Sequence, residues 1–206
     1  MFAPYRSPYA PLEGTVPLPH GLFVDRWGTL LELPANGFAH RPEDVRFLPG
    51  ALEALFRASR SGWNVYLIGN EEAVAFGKAS EADWAAVEAE LLARIANAGI
   101  ALGRNYACID HPEGVAARRN DSVYFLPNTG AFYHAAHTDG VDLAKSWVIG
   151  DSTLELVAGW RAGCRLAGVR TGRALGDRLF EVEPEVLEKD LATVVREVME
   201  RTEALR

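Results

Sequence analysis

From Gly21 onward, short apolar runs alternate with longer stretches whose apolar residues recur every three or four positions. Gly21-Leu22-Phe23-Val24 reads as a buried strand ending at Asp25, and Trp63 to Ile68 as a second, closed by Gly69-Asn70. Asn105 to Ile109, Ser146 to Gly150 and Cys164 to Val169 give three more. Runs this short and this apolar suit strands covered on both faces. Between them, Gly50 to Ser61 carries Leu52, Leu55 and Phe56 at helical spacing. Ser80-Glu81-Ala82-Asp83 is a capping sequence that opens a helix running to about Ala98, where Gly99 stops it. Thr129 to His137 and Leu154 to Ala162 read as further helices, and Pro184 to Leu205 as a charged amphipathic helix. The alternation predicts an α/β fold of Rossmann-like type, a doubly wound parallel sheet with helices on both faces. It is expected as a single domain over residues 21–206, behind a Pro-rich arm of residues 1–20 that holds five prolines.

In such sheets ligands sit at the carboxyl ends of the strands, near the switch in strand order. Asp25, Gly69-Asn70 and Asp151 each follow a predicted strand and are expected on one rim. Asp25-Arg26-Trp27-Gly28-Thr29 places a carboxylate at a strand end, with a glycine that permits a sharp turn. Such a carboxylate can serve as nucleophile, as hard-cation ligand or as a turn cap. Asp151 can join it in a Mg²⁺ site, or cap the helix that follows.

Composition narrows the function classes without choosing among them. The chain has 21 Lys and Arg against 28 Asp and Glu, a formal charge of −7, which argues against a nucleic-acid-binding face. No apolar run approaches the ~18 residues of a membrane span, and the first residues lack the features of a signal peptide. Two cysteines, Cys108 and Cys164, cannot build a disulfide framework, so a cytoplasmic setting is expected. His134 and His137 share a helix at a spacing of three, without a third ligand nearby in sequence. The last helix is a solvated face or a partner surface.

Several segments resemble a known family. Gly37 to Asp44, Phe47 to Leu55, Ser80 to Asp83, Gly140 to Trp147 and Ala162 to Arg165 look like framework stretches of the haloacid-dehalogenase (HAD) superfamily. Within its subclass IIIA they resemble the small phosphatases of histidinol phosphate and heptose bisphosphate, from about Leu22 to Gly172. The resemblance implies the HAD fold without a large cap domain, and Asp25 as the nucleophile that attacks phosphorus. It also implies a Mg²⁺ held by Asp25, the Trp27 backbone carbonyl and Asp151, assisted by Glu155, with Asn70 retained in the second motif.

The same comparison exposes departures. Trp27 stands where the family places its acid, and an indole cannot donate and recover a proton at neutral pH. Gly69 replaces a phosphoryl-binding hydroxyl, Phe76 a substrate arginine, and Leu126 the lysine of the third motif. Glu71 and Glu72 stand where a phosphate approaches and are expected to repel it. Arg118 and Arg119 are candidate replacement cations; His111, Glu71 and Glu72 are candidate acids. The segment Cys108 to Arg118 keeps too few ligands for the family's zinc loop, so no zinc is expected and Cys108 reads as a small buried group.

Together these departures favour an emptied site, an inactive or very weak phosphatase kept as a binding, regulatory or assembly module. A protein partner or self-association would suit that reading better than a small phosphorylated ligand. The alternative is a working Mg²⁺-dependent phosphate monoester phosphatase with Asp25 as nucleophile and non-standard acid and phosphate-binding residues. An aromatic residue two places after the nucleophile also resembles the superfamily's metal-free dehalogenases, which keep the missing lysine. A pure interaction protein, using the arm and the last helix, is the third reading. Whether the Trp27 indole fills the pocket separates the first two.

Overall fold

Each apolar run becomes a strand of one sheet. The computed structural model describes residues 18–204, so the Pro-rich arm lies, apart from its last residues, outside the described residues. In chain order the elements are β1 (His20–Asp25), α1 (Ala51–Arg60), β2 (Trp63–Asn70), α2 (Glu72–Ala75), α3 (Glu81–Asn97), β3 (Leu102–Cys108), α4 (Gly130–Asp139), β4 (Trp147–Gly150), α5 (Thr153–Ala162), β5 (Arg165–Val169), β6 (Val186–Glu188) and α6 (Leu191–Glu203). The strands form a six-stranded sheet in the order β3-β2-β1-β4-β5-β6, and all neighbours run parallel. The chain builds outward from β1 to one edge, returns to β4 beside β1, and builds to the other edge. The switch in strand order therefore falls between β1 and β4. No large cap interrupts this plan among the described residues, and no helix there is long and apolar enough to cross a membrane.

The strand alternation sends side chains to two cores. Leu22, Val24, Val65, Leu67 and Ile149 pack under α1, α3 and α6. Phe23, Tyr66, Ile68 and Val148 pack under α4 and α5, against Phe132 and Ala158. The cap of α3 forms in both directions: the Asp83 N–H donates to Ser80 Oγ at 3.0 Å, and the Ser80 N–H donates to Asp83 Oδ2 at 3.0 Å.

The C-terminal segment corrects the single helix expected from Pro184 to Leu205. Val186–Glu188 instead forms β6, in register with Ala167–Val169 of β5. Val186 buries its side chain in the core beside β5, and the helix starts only at a new cap. There Asp190 Oδ1 accepts from the Thr193 N–H at 2.8 Å. The helix α6 then buries Leu191, Val194, Val195 and Val198.

Arg26 joins the strand ends, and its side chain has no exposed surface. Its Nε and Nη2 donate to Glu71 Oε1 at 2.9 and 2.7 Å, and Nη2 also donates to the Gly69 carbonyl at 2.9 Å. Nη1 donates to Asn105 Oδ1 at 3.0 Å and to the Tyr106 carbonyl at 3.2 Å. All five guanidinium N–H groups are thus used, and β1, β2 and β3 are tied together at their carboxyl ends. Asn105 extends the network to α3 by donating to Glu88 Oε1 at 2.6 Å. Removing one partner of a buried ion pair leaves the other charged and dry. Arg26→Met is therefore expected to cost about 3–5 kcal/mol, read as a lowered urea midpoint. Arg26→Met with Glu71→Leu should recover much of that loss, because both charges leave together.

Candidate active site

The rim predicted from the strand ends exists, and three carboxyl groups meet on it at the switch in strand order. Asp25 ends β1, Asp151 follows β4, and Glu155 projects from the first turn of α5; each is about 5% exposed or less. Asp25 Oδ2 is buried without a hydrogen-bond partner, and so is the neighbouring Thr29 hydroxyl. Burial pushes the Asp25 carboxyl well above the usual range, and the charges of Glu155 and Asp151 push it further. The charge of Arg26 pulls it partly back. Burial likewise pushes Glu155 up to about 7, against a hydrogen bond from Ser152. Asp151 is raised by burial too, and the Arg173 backbone N–H, donating to Oδ2 at 2.6 Å, opposes the rise.

Glycines hold Asp151 in place. A Cβ at Gly28 or at Gly172 would sit 2.1 Å from Asp151 Oδ2, and both residues have positive φ, +91° and +58°. The carboxylate is therefore wedged between the loop after β1 and the loop after β5. Those loops are also joined directly, since Thr171 Oγ1 donates to the Gly28 carbonyl at 2.7 Å. Asp177 fastens the second loop to α5, accepting from the Thr153 N–H at 2.9 Å and from its hydroxyl at 2.5 Å.

These carboxyls suit a hard divalent cation. Mg²⁺ uses one or two carboxylates and completes its shell with carbonyl, water or phosphate oxygens. Asp25 and Asp151 could provide the two, with the Trp27 carbonyl and Glu155 beside them. Among the described residues no group of three or more His, Cys, Asp or Glu side chains is placed to hold a metal ion by itself, so a cation here would depend on carbonyl, water or phosphate oxygens as well. The orphaned Asp25 Oδ2 is the observation that favours the fit, since a dry, unpaired carboxylate oxygen is costly without a counter-charge.

Beside the carboxyls lies a cavity of about 430 Å³ lined by Asp25, Trp27, Asn70, Glu72, Lys78, Asp151, Glu155 and Arg173, among others. The Trp27 indole does not fill it. Its Nε1–H is turned onto Glu71, 3.3 Å from both carboxyl oxygens. The expectation that Glu71 repels a phosphate is corrected here, because its charge is matched by Arg26 at 2.7 Å. Burial pushes the Glu71 pKa up while Arg26 and the indole oppose the rise, and every partner facing its oxygens is an N–H donor. Gly69 also has a local reason: a Cβ there would lie 3.0 Å from Arg26 Nη2 and 3.2 Å from Asp25 Oδ1, at a φ of +146°.

Other candidates have different places. Asn70 lines the cavity, and its side chain clamps Leu126, donating to the Leu126 carbonyl at 3.0 Å and accepting its N–H at 2.8 Å. Leu126 itself is buried in the core. Arg118 and Arg119 do not reach in: Arg118 pairs with Glu81 and Asp110, and Arg119 donates to the Gly114 carbonyl at 3.1 Å. His111 sits behind Phe76, its ring 4.7 Å away, and its Nδ1 accepts from the Glu113 N–H at 2.9 Å. His134 turns onto the Tyr106 hydroxyl at 3.0 Å rather than pairing with His137. Cys108 is buried, and burial pushes its thiol up. The cations that do line the cavity are Lys78 and Arg173. Sequence reasoning missed both, although Arg173 follows β5 on the same rim and the strand-end rule could have found it.

The comparisons with known proteins agree with this geometry. A protein-family model described as HAD-hydrolase-like matches residues 126–194. The D-glycero-D-manno-heptose-1,7-bisphosphate 7-phosphatase of Thermosynechococcus vestitus is 34% identical over 187 residues, 84% of this chain and 92% of that protein. The D-glycero-beta-D-manno-heptose-1,7-bisphosphate 7-phosphatase of Pseudomonas aeruginosa is 29% identical, over 87% of this chain and 97% of that protein. Among solved structures, the D,D-heptose 1,7-bisphosphate phosphatase of B. bronchiseptica, complexed with magnesium and phosphate, superposes with a TM-score of 0.76 at 25% identity. It covers 88% of this chain and 99% of that one. A putative HAD-like phosphatase from Mesorhizobium loti gives a TM-score of 0.70 at 25% identity, over 94% and 91% of the two chains.

These relatives overturn the expectation of an emptied site kept as a binding or assembly module. Proteins 27–34% identical over most of the chain are named as heptose bisphosphate phosphatases, and the balance moves to the alternative, a functional hydrolase. With a 34%-identical relative matched over 84% of this chain and 92% of that protein, and HAD phosphatases as structural neighbours, the chain belongs to the haloacid-dehalogenase-like phosphatase family.

Proposed function

We propose that the chain is a Mg²⁺-dependent phosphate monoester phosphatase with Asp25 as its nucleophile. The observation that carries the reading is the buried Asp25 Oδ2 without a partner, facing Asp151 and Glu155 beside an open cavity. Asp25 and Asp151, with the Trp27 carbonyl and Glu155, would hold the cation. When bound, Mg²⁺ would offset the carboxylate charge and stabilise the oxygens of the transferring phosphoryl group.

The chain's own groups do the rest. Lys78 and Arg173 supply positive charge at the cavity, in place of the lysine and arginine that the motifs lack. An Asp25 carboxylate oxygen attacks phosphorus, the P–O bond to the leaving group breaks, and an acyl phosphate forms on Asp25. Water then attacks that phosphate and regenerates the carboxylate. Asn70 keeps the Leu126 segment against the rim, and Arg26 keeps the strand ends in register beneath it. The heptose bisphosphate named for the relatives is one candidate substrate within this class.

Phosphate release from small monoesters in Mg²⁺ tests the reading. Asp25→Asn should lower kcat by about 10³-fold or more while leaving the fold intact by circular dichroism. Equal rates in both proteins would refute it.

The carboxyl cluster also sets a pH dependence. The folded chain holds a proton on Glu155 up to about pH 7, and burial with two acidic neighbours raises Asp25 above the ordinary range as well, whereas an unfolded chain loses both protons at about pH 4. Stability from this source is complete at low pH and is lost as pH rises through about 7. In EDTA the Tm should therefore fall by roughly 5–10 °C between pH 5.5 and 8. Millimolar Mg²⁺ should remove most of that fall, as a thermal scan would show.

A further inference from the structure

Resting on the phosphatase reading, we propose that the site is built for aryl phosphates: monoesters whose leaving group is flat, apolar and acidic enough to depart without a proton from the protein. Two separate features of the cavity lead there.

The first is the commitment of the groups around Trp27. Its indole N–H is spent on Glu71, and Glu71 is spent on Arg26, which donates to it twice. The buried acid beside the indole is thus paired as a carboxylate, Glu72 is exposed, and Glu155 would be committed to the cation together with Asp25 and Asp151. An alkoxide is nearly as basic as hydroxide, whose conjugate acid has a pKa of about 15.7, and it leaves poorly without general acid help. A phenoxide, with a conjugate acid near pKa ~10, leaves with its electron pair and takes its proton from solvent. The balance is then complete. Asp25 gains the phosphoryl group, aryloxide departs, water releases phosphate, and solvent protons are returned.

The second is the apolar lining. Trp27, Leu33, Pro34, Phe38, Phe76 and Leu179 line the cavity, and of these Leu33, Phe76 and Leu179 are 45%, 37% and 63% exposed. Large apolar side chains gathered around one cavity mark a surface meant to be covered. Phe76 is buttressed: its ring lies 4.7 Å from that of His111, which lies 4.7 Å from that of Phe125. Such a wall can stack on an aromatic ring. Charge agrees, since the lining carboxyls other than the paired Glu71 are four and the lining cations are two, Lys78 and Arg173. With a divalent ion bound, that leaves no cationic surplus for a second phosphate.

The test uses the full chain with Mg²⁺ and a series of ring-substituted phenyl phosphates, with phenethyl phosphate and a hexose bisphosphate for comparison. We expect kcat/KM to rise roughly tenfold for each unit by which the leaving group becomes more acidic. Phenyl phosphate should exceed the hexose bisphosphate. Phe76→Ala should raise the KM for phenyl phosphate about fivefold and leave the slope of the series unchanged. A flat series, or a preference for the bisphosphate, overturns this inference while the phosphatase reading stands. No phosphate release from any of them overturns both.

Discussion

A buried guanidinium governs the floor of this site. At the carboxyl ends of parallel strands, backbone carbonyls point into a region where water is scarce, and each needs a donor. Arg26 answers two of them, at Gly69 and Tyr106, and the Glu71 carboxylate besides. Its neighbours follow from its presence. At position 69 a side chain would press on the guanidinium and on Asp25 and would strain a backbone at φ +146°. Glu71 is acidic because a dry cation needs a counter-charge, and Trp27 lies where its N–H can reach the same carboxylate. An ion pair of this kind adds little stability over a well-packed apolar one. What it contributes is register among three strand ends that together carry the chemistry.

The layout of the molecule was legible in the chain because it rests on local signals. Five apolar runs became five strands of a parallel sheet, and residues at strand ends, Asp25, Asn70 and Asp151, meet on one rim. What stayed hidden depends on partners far apart in sequence. Arg26 and Glu71 are 45 residues apart, so Glu71 reads as an unmatched negative charge until the two are brought together. The last segment hid a strand because Val186–Glu188 is only three residues long, and its pairing with β5 is invisible in its own pattern.

The site shows the same limit more sharply. Compared one position at a time with a motif, Trp27, Gly69, Phe76 and Leu126 count as four losses, and an emptied site follows. The comparison has no place for residues that enter from elsewhere, such as Lys78 behind α2 and Arg173 behind β5. Nor does it register that Leu126 is a core residue here, so its position no longer faces the cavity at all. Relatives with the same overall chain and a phosphatase name correct the inference. The local physics, an unpaired buried carboxylate beside an accessible space, agrees with them.

The wedging of Asp151 between Gly28 and Gly172 fixes one side of the cleft. On that side the loop after β5 is pinned to the loop after β1 by Thr171, and to α5 by Asp177. Neither loop can swing outward without dragging the Asp151 carboxylate from its seat. The Asp151 side of the cavity is thereby the fixed one, held by bonds from both loops and from α5.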